Sequence, residues 1–244
     1  MTKIDLKETN IVTMEGILRM GAYLIYFILI MLVPLWAQSR VKNTYKKYSK
    51  VATSSMMTGA QVARKILDDN GLYDVQIEET KGMLSDHYDP RKKVVRLSSG
   101  IYHGHSMAAS AVAAHEVGHA IQDQESYAFL RFRTALVPVA SFGSNVSFFL
   151  IIAGFLLGML ELATVGVVFM GAAVLFQLIT LPVEFDASNR AMTQLVSTGV
   201  IRNNEERETK KVLNAAAMTY VAAALVAVAE LLRFVFMIVA SNQD

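Results

Sequence analysis

The chain contains no cysteine. That excludes disulfides and any thiolate metal site, so a metal here must be held by histidine and carboxylate. Proline is scarce, at four residues, and tryptophan occurs once. A strong excess of charge is also missing: the formal net charge is +2, so bulk electrostatics give no reason to expect nucleic acid as a partner. The amino-terminal stretch MTKIDLKETNIVTMEGILRM lacks the short basic region and small-residue cleavage site of a secretory signal. The first apolar segment is therefore expected to be a permanent anchor.

What the chain has in abundance is apolar residues. Of 244 residues, 53% are hydrophobic, and the mean hydropathy is +0.37. This is too apolar for an ordinary soluble enzyme and predicts several membrane spans. Four segments are long enough to cross a hydrocarbon core of about 30 Å: 17–37, 136–160, 163–183 and 215–240. A short turn at Glu161 makes the second and third an antiparallel hairpin. The fourth carries Glu230 and Arg233, readable as an intramembrane ion pair or as snorkelling near a span end.

Lys and Arg in the flanks set the orientation. Arg40, Lys42, Lys46, Lys47 and Lys50 follow the first span, Arg131 and Arg133 precede the second, and Arg190, Arg202, Arg207, Lys210 and Lys211 follow the third. All are expected on the cytoplasmic side. The predicted organisation is an extracytoplasmic tail (1–16), span 17–37, a cytoplasmic α+β segment (38–134), spans 136–160 and 163–183, a cytoplasmic helical segment (184–214) and span 215–240. The fold class expected is a mainly α membrane protein with a small α+β segment.

Within 38–134, Thr58 or Ser55 can cap a helix over 59–69 that ends at Asn70-Gly71. Val75 to Glu78 and Lys93 to Leu97 alternate as strands, and Gly82 to Pro90 reads as a loop. Then comes Ala113 to Gln122, AAHEVGHAIQ. His115 and His119 are four apart, one turn on one helix face, so both imidazoles can reach one ion. Glu116 follows the first histidine, as in H-E-x-x-H, where the glutamate serves as general base to a water at the metal. Gly118 costs about 1 kcal/mol in a helix interior relative to alanine and implies close approach of another backbone or of the metal site.

Two histidines leave a catalytic zinc one protein ligand short. Glu184, in LPVEFDASNRA, is the best candidate, because a carboxylate where a span gives way to water needs a reason. Asp186 is an alternative ligand. Ser188, Asp186 or Asn189 could orient a ligand histidine through its second nitrogen. His87, His103, Arg190 and Tyr220 are candidate donors to a developing oxyanion, and the His103-Gly104-His105 pair is a lesser metal candidate. A peptide substrate is expected to add as a strand beside Val94, Val95, Arg96, Leu97 and Ser98.

AAHEVGHAIQ, LPVEFDASNRA, the DHYDP–KVVRLS approach and the QSRVK…KYSK run together resemble the YugP-type neutral zinc metallopeptidases of bacterial membranes, over Gln38 to Phe236. That family looks gluzincin-like, with two histidines of HExxH and a later glutamate on zinc. The stretch Glu184 to Ala187 is also similar to that of HtpX-type membrane proteases, with Ser188 where those have aspartate. The resemblance implies a membrane-bound, multi-pass zinc endopeptidase of the bacterial cell membrane. Its site would face the cytoplasm, and its partners would be a protein or peptide substrate, the lipid bilayer, and a membrane-protein partner or a second copy. The competing expectation is an inactive zinc-stabilised scaffold that regulates a partner; retention of Glu116 argues against it.

Overall fold

The structure, a computed structural model, describes residues 3–241, with side chains from Gly16 onward except that of Arg19. Most of the expected tail 1–16 therefore lies outside the residues whose side chains are described. Helix α1 (Lys3–Tyr48) carries both the first apolar stretch and most of the basic cluster. Helix α2 (Gly59–Asp69) begins where Thr58 predicts: its Oγ1 accepts from the Gln61 N–H at 3.1 Å, and Gln61 Oε1 accepts from the Thr58 N–H at 2.8 Å. That reciprocal pair satisfies two otherwise orphaned donors. Strands β1 (Gln76–Thr80), β2 (His87–Asp89) and β3 (Val94–Ser98) lead into the short α3 (Ser99–Tyr102) and into α4 (Met107–Gln124), which carries HEVGH. Long helices α5 (Ala128–Leu157), α6 (Leu160–Ser197) and α7 (Glu206–Ser241) complete the chain.

The sheet order is β1-β3-β2, with β3 parallel to β1 and antiparallel to β2. Two expectations are corrected here. The loop expected over 82–90 contains β2, three residues too short to show a period. β3 is the central strand, paired with β1 from Val94 to Ser98 and with β2 from Val94 to Arg96, so a peptide has no free edge to add to at Val94, Val95 and Arg96.

Four helices are long and apolar enough to cross a membrane: Gly16–Tyr48 of α1, α5, α6 and α7. The chain is thus a mainly α membrane protein with a small α+β segment. In the bundle α5 packs on α6, α6 on α7 and α7 on α1. The α5–α6 turn is Gly158-Met159 rather than Glu161. Gly158 takes φ +67°, and the Met159 N–H reaches back to the Gly154 carbonyl at 2.8 Å. Glu161 sits in the first turn of α6, where the helix dipole favours an acid. Between α1 and α7, Arg233 and Tyr26 both donate to Glu230, at 2.6 and 2.7 Å, so the expected ion pair has a third member.

Helices α6 and α7 run on past the apolar stretch without a break. The region expected as a separate segment (184–214) is the end of α6, a turn, and the start of α7. Glu205 ties that turn to the α1–α2 connection by accepting the N–H groups of Arg202 and Ser54, both at 2.8 Å. The main core joins α2, β3, α3 and α4 to these helix ends through Ala191, Leu195, Val212 and Leu213. Helix α4 lies at its centre, buried along most of its length and rich in alanine, which lets α2, α6 and α7 all approach it.

Candidate metal centre

The helical spacing of His115 and His119 stacks their rings edge to face, with centroids 4.8 Å apart. Glu184 reaches them from α6. One ligand atom from each of the three residues lies within 4.8 Å of the others. His115 Nε2 is 3.2 Å and His119 Nε2 3.7 Å from Glu184 Oε2.

The second nitrogens decide which face of each ring is free. Gln122, fully buried, donates from Nε2 to the Val183 carbonyl and to Asp186 Oδ2, both at 2.8 Å. Its Oε1 must therefore face His119 Nδ1, 3.0 Å away, and that nitrogen carries the proton. His115 Nδ1 meets the Ser188 hydroxyl at 3.2 Å, which can accept from it and so is compatible with the same tautomer. Both Nε2 lone pairs then converge with a carboxylate oxygen. Three acceptors aimed at one point suit a cation, and two imidazoles with one carboxylate are a donor set that zinc takes. The far oxygen of Glu184, Oε1, accepts from Arg133 of α5 at 3.0 Å, which leaves Oε2 for the ion. Glu184 is 2% exposed, so without such partners its charge would be costly.

Glu116 stands beside this group without joining it. It is 8% exposed, and burial pushes its carboxyl up to about 7; His115 opposes the rise, whereas the charges of Glu184 and Asp86 add to it. Two cavities meet here. One, of about 290 Å³, runs under β2 and along α5, past Tyr88, Arg133 and Val137. The other, of about 330 Å³, lies between α1, α4 and α7, past Tyr45, Val112 and Ala216. Asp86, His115, Glu116 and Tyr220 line both, so one cleft crosses the centre.

Other candidates go elsewhere. Asp186 accepts from Gln122 and, at 2.6 Å, from Arg190, so it braces the centre at one remove. Arg190 is turned away onto Asp186 and Glu125. Asn189 is exposed and lines neither cavity. His87 lines the cleft under β2, its Nδ1 2.8 Å from the Ser85 carbonyl. His103 points at Glu79, and His105 Nδ1 lies 2.7 Å from the Met56 carbonyl; neither reaches the centre. Tyr220 alone among the expected oxyanion donors borders both halves of the cleft.

Sequence reasoning missed Arg133, Gln122 and Asp86. Gln122 carried a signal, since it is three residues after His119 and shares its helix face. Asp86 stood in the DHYDP run, but its role, accepting the Ser98 N–H at 2.7 Å, depends on strand pairing. Arg133 gave no local signal.

Residues 23–239 match a family described as "Putative neutral zinc metallopeptidase". The chain belongs to this neutral zinc metallopeptidase family. A relative from Bacillus subtilis (strain 168), "Putative membrane protease YugP", is 57% identical over 209 residues, covering 86% of this chain and 92% of the relative. No solved structure matches. Zinc is the metal of the neutral zinc metallopeptidases, and the buried group of His115, His119 and Glu184 fits it.

Proposed function

We propose that the protein is a zinc endopeptidase that hydrolyses peptide bonds at the cytoplasmic surface of the membrane, with His115, His119 and Glu184 holding the metal. The observation that carries this reading is the convergence of His115 Nε2, His119 Nε2 and Glu184 Oε2 beside a buried, unliganded Glu116 in an open cleft. A purely structural site has no use for a base opening onto a cleft, which argues against the scaffold reading.

Zinc, when bound, supplies a Lewis acid that polarises the scissile carbonyl and acidifies the attacking water. Glu116 takes the water's proton and returns it to the leaving amine; a carboxyl lifted toward neutrality is matched to both transfers. Tyr220 donates to the carbonyl oxygen as negative charge develops there. Gln122 and Ser188 hold the two imidazoles in the tautomer that presents Nε2, and Arg133 fixes Glu184. The substrate strand is moved from β3 to the outer edge of β2, where the Tyr88 N–H faces Glu116 and the cleft passes. Substrate backbone pairing along His87 to Asp89 supplies affinity. The cytoplasmic orientation rests on Arg40 to Lys50 and the basic flanks of α5 to α7.

The test is zinc content and peptide hydrolysis of wild type, Glu116→Gln and His119→Ala. Glu116→Gln should keep its zinc and lose activity by about 10² or more; His119→Ala should lose the metal. Full zinc in His119→Ala would remove the assigned centre, and unchanged turnover in Glu116→Gln would remove the assigned base. A zinc-loaded wild type inert toward every peptide offered would leave the scaffold reading standing.

A further inference from the structure

A second concavity lies on the opposite side of the α1–α7 contact from the metal. It is a cleft of about 810 Å³ between these two helices, and none of its lining residues is acidic. On α1 it is edged by Trp36, Arg40, Asn43 and Lys47, spaced by four, three and four residues, so they form one stripe along the helix. On α7, Lys211, Asn214 and Met218 form the facing stripe at the same period. Among the described residues, Arg40 and Lys47 rest on aromatic rings rather than on carboxylates: Arg40 lies 5.6 Å from the Trp36 centroid and Lys47 5.2 Å from that of Tyr48. Among the described residues, Lys211 pairs with Glu208, one helical turn away, at 3.4 Å.

The cleft changes character along its length. Trp36 lies at the end of the apolar part of α1, and Met218 near the start of that of α7, so both helices pass from apolar to basic at about the same level. Tryptophan favours that level of a bilayer, and basic pockets between spans on the basic side collect anionic headgroups. A groove apolar at one end and cationic at the other has the polarity profile of a glycerophospholipid.

We infer that this cleft is a binding site for an anionic phospholipid. Arg40, Lys47 and Lys211 hold the headgroup phosphate, Asn43 and Asn214 add neutral hydrogen-bond donors, and the acyl chains run along Trp36 and Met218. Thr44 borders both this cleft and the cavity that reaches Glu116. The lipid therefore braces, from behind, the helix that walls one end of the peptidase cleft.

The test uses the full chain in phosphatidylcholine nanodiscs titrated with phosphatidylglycerol, and reads lipid bound per chain. The cleft variant Arg40→Gln/Lys47→Gln/Lys211→Gln is compared with Lys46→Gln/Lys50→Gln/Lys210→Gln, which removes equal charge from neighbouring positions outside the cleft. Three basic residues at a membrane surface, at about 1 kcal/mol each, correspond to about a hundredfold loss of affinity in the cleft variant. The control variant should stay within a few-fold of wild type. Zinc content checks that each variant is folded, and Arg40→Gln alone, expected to lose about fivefold, replaces the triple variant if that fails to load metal. Equal losses in the two triple variants would make the effect diffuse surface charge and overturn the site, as would undiminished binding in the cleft variant. Inorganic phosphate is added in a third arm: displacement of the lipid by phosphate alone, with tight phosphate binding in pure phosphatidylcholine, would reassign the cleft to a free anion.

Discussion

Gly118 of α4 faces the backbone of Ala187 in α6 so closely that a Cβ at residue 118 would lie 2.6 Å from the Ala187 carbonyl oxygen. His119 follows this glycine directly, and Ala187 is three residues beyond Glu184, so the contact sets the separation of the two ligand-bearing helices. Gly118→Ala should push α4 and α6 apart. Overpacking of this kind costs about 1–3 kcal/mol, so a lower Tm is expected together with at least tenfold weaker zinc binding in competition with a chelator. Wild-type zinc affinity in this variant would show that the centre tolerates helix displacement.

Gln122→Leu removes a side chain of similar length that bridges His119, the Val183 carbonyl and Asp186. The His119 tautomer loses its anchor, and the acceptors on α6 lose their donor. Zinc affinity should fall by about 10–100-fold, the usual effect of losing such a partner. Zinc affinity equal to wild type would mean that ring packing alone orients His119.

The raised Glu116 carboxyl has a signed consequence in the metal-free protein. Between the ordinary value of 4.5 and about 7, the folded state holds a proton that the unfolded chain has released. Stability from this group is therefore present at low pH and lost as pH rises through that window. The difference in Tm between metal-free wild type and Glu116→Gln, followed from pH 4.5 to 7, should drift against wild type. For the zinc-loaded enzyme the metal's charge opposes burial, so the acid limb of kcat/KM should fall between those same two values. A pH-independent difference in Tm would remove the shift.

Because the chain lacks cysteine, single introduced thiols report topology cleanly. A cysteine at Ser85, in the connection before β2, should react with a membrane-impermeant maleimide only after the cells are opened, whereas one at Ser241 should react in intact cells. Labelling of position 85 from outside would reverse the proposed orientation.

Much of the centre could be read from the chain because it rests on local spacing. The two histidines share a face by the helical period, Glu116 has its place by adjacency, and Gly118 signalled a backbone contact that Ala187 supplies. Glu184 stood out because a carboxylate at a span's end needs a partner. Helix α2 was legible to its ends because Thr58 and Asn70-Gly71 punctuate it. What escaped was long-range. β2 spans three residues and shows no alternation, and its pairing is what makes β3 central. Arg133 meets Glu184 only because α5 and α6 fold back as a hairpin, so nothing near position 133 announces the contact. The ends of α6 and α7 read as a separate polar segment because hydropathy records a change of solvent, which the backbone hydrogen bonds of a helix ignore.

That continuity has a mechanical meaning. Helix α6 runs from Leu160 to Ser197 as one continuous helix, about 57 Å at the α-helical rise, with Glu184 on the same helix as the lipid-facing turns. Pro182, two residues before Glu184, lacks an N–H and removes one rung of the ladder there, yet the helix continues through it from span to ligand. The depth of the metal is thus indexed to the bilayer, and a membrane thicker or thinner than the span must tilt the helix or deform itself. Since α4 is seated on that helix at Gly118 and Ala187, the histidines ride with it, and the centre stays intact while its height above the lipid changes. Membrane thickness then sets the height of Glu116 above the lipid.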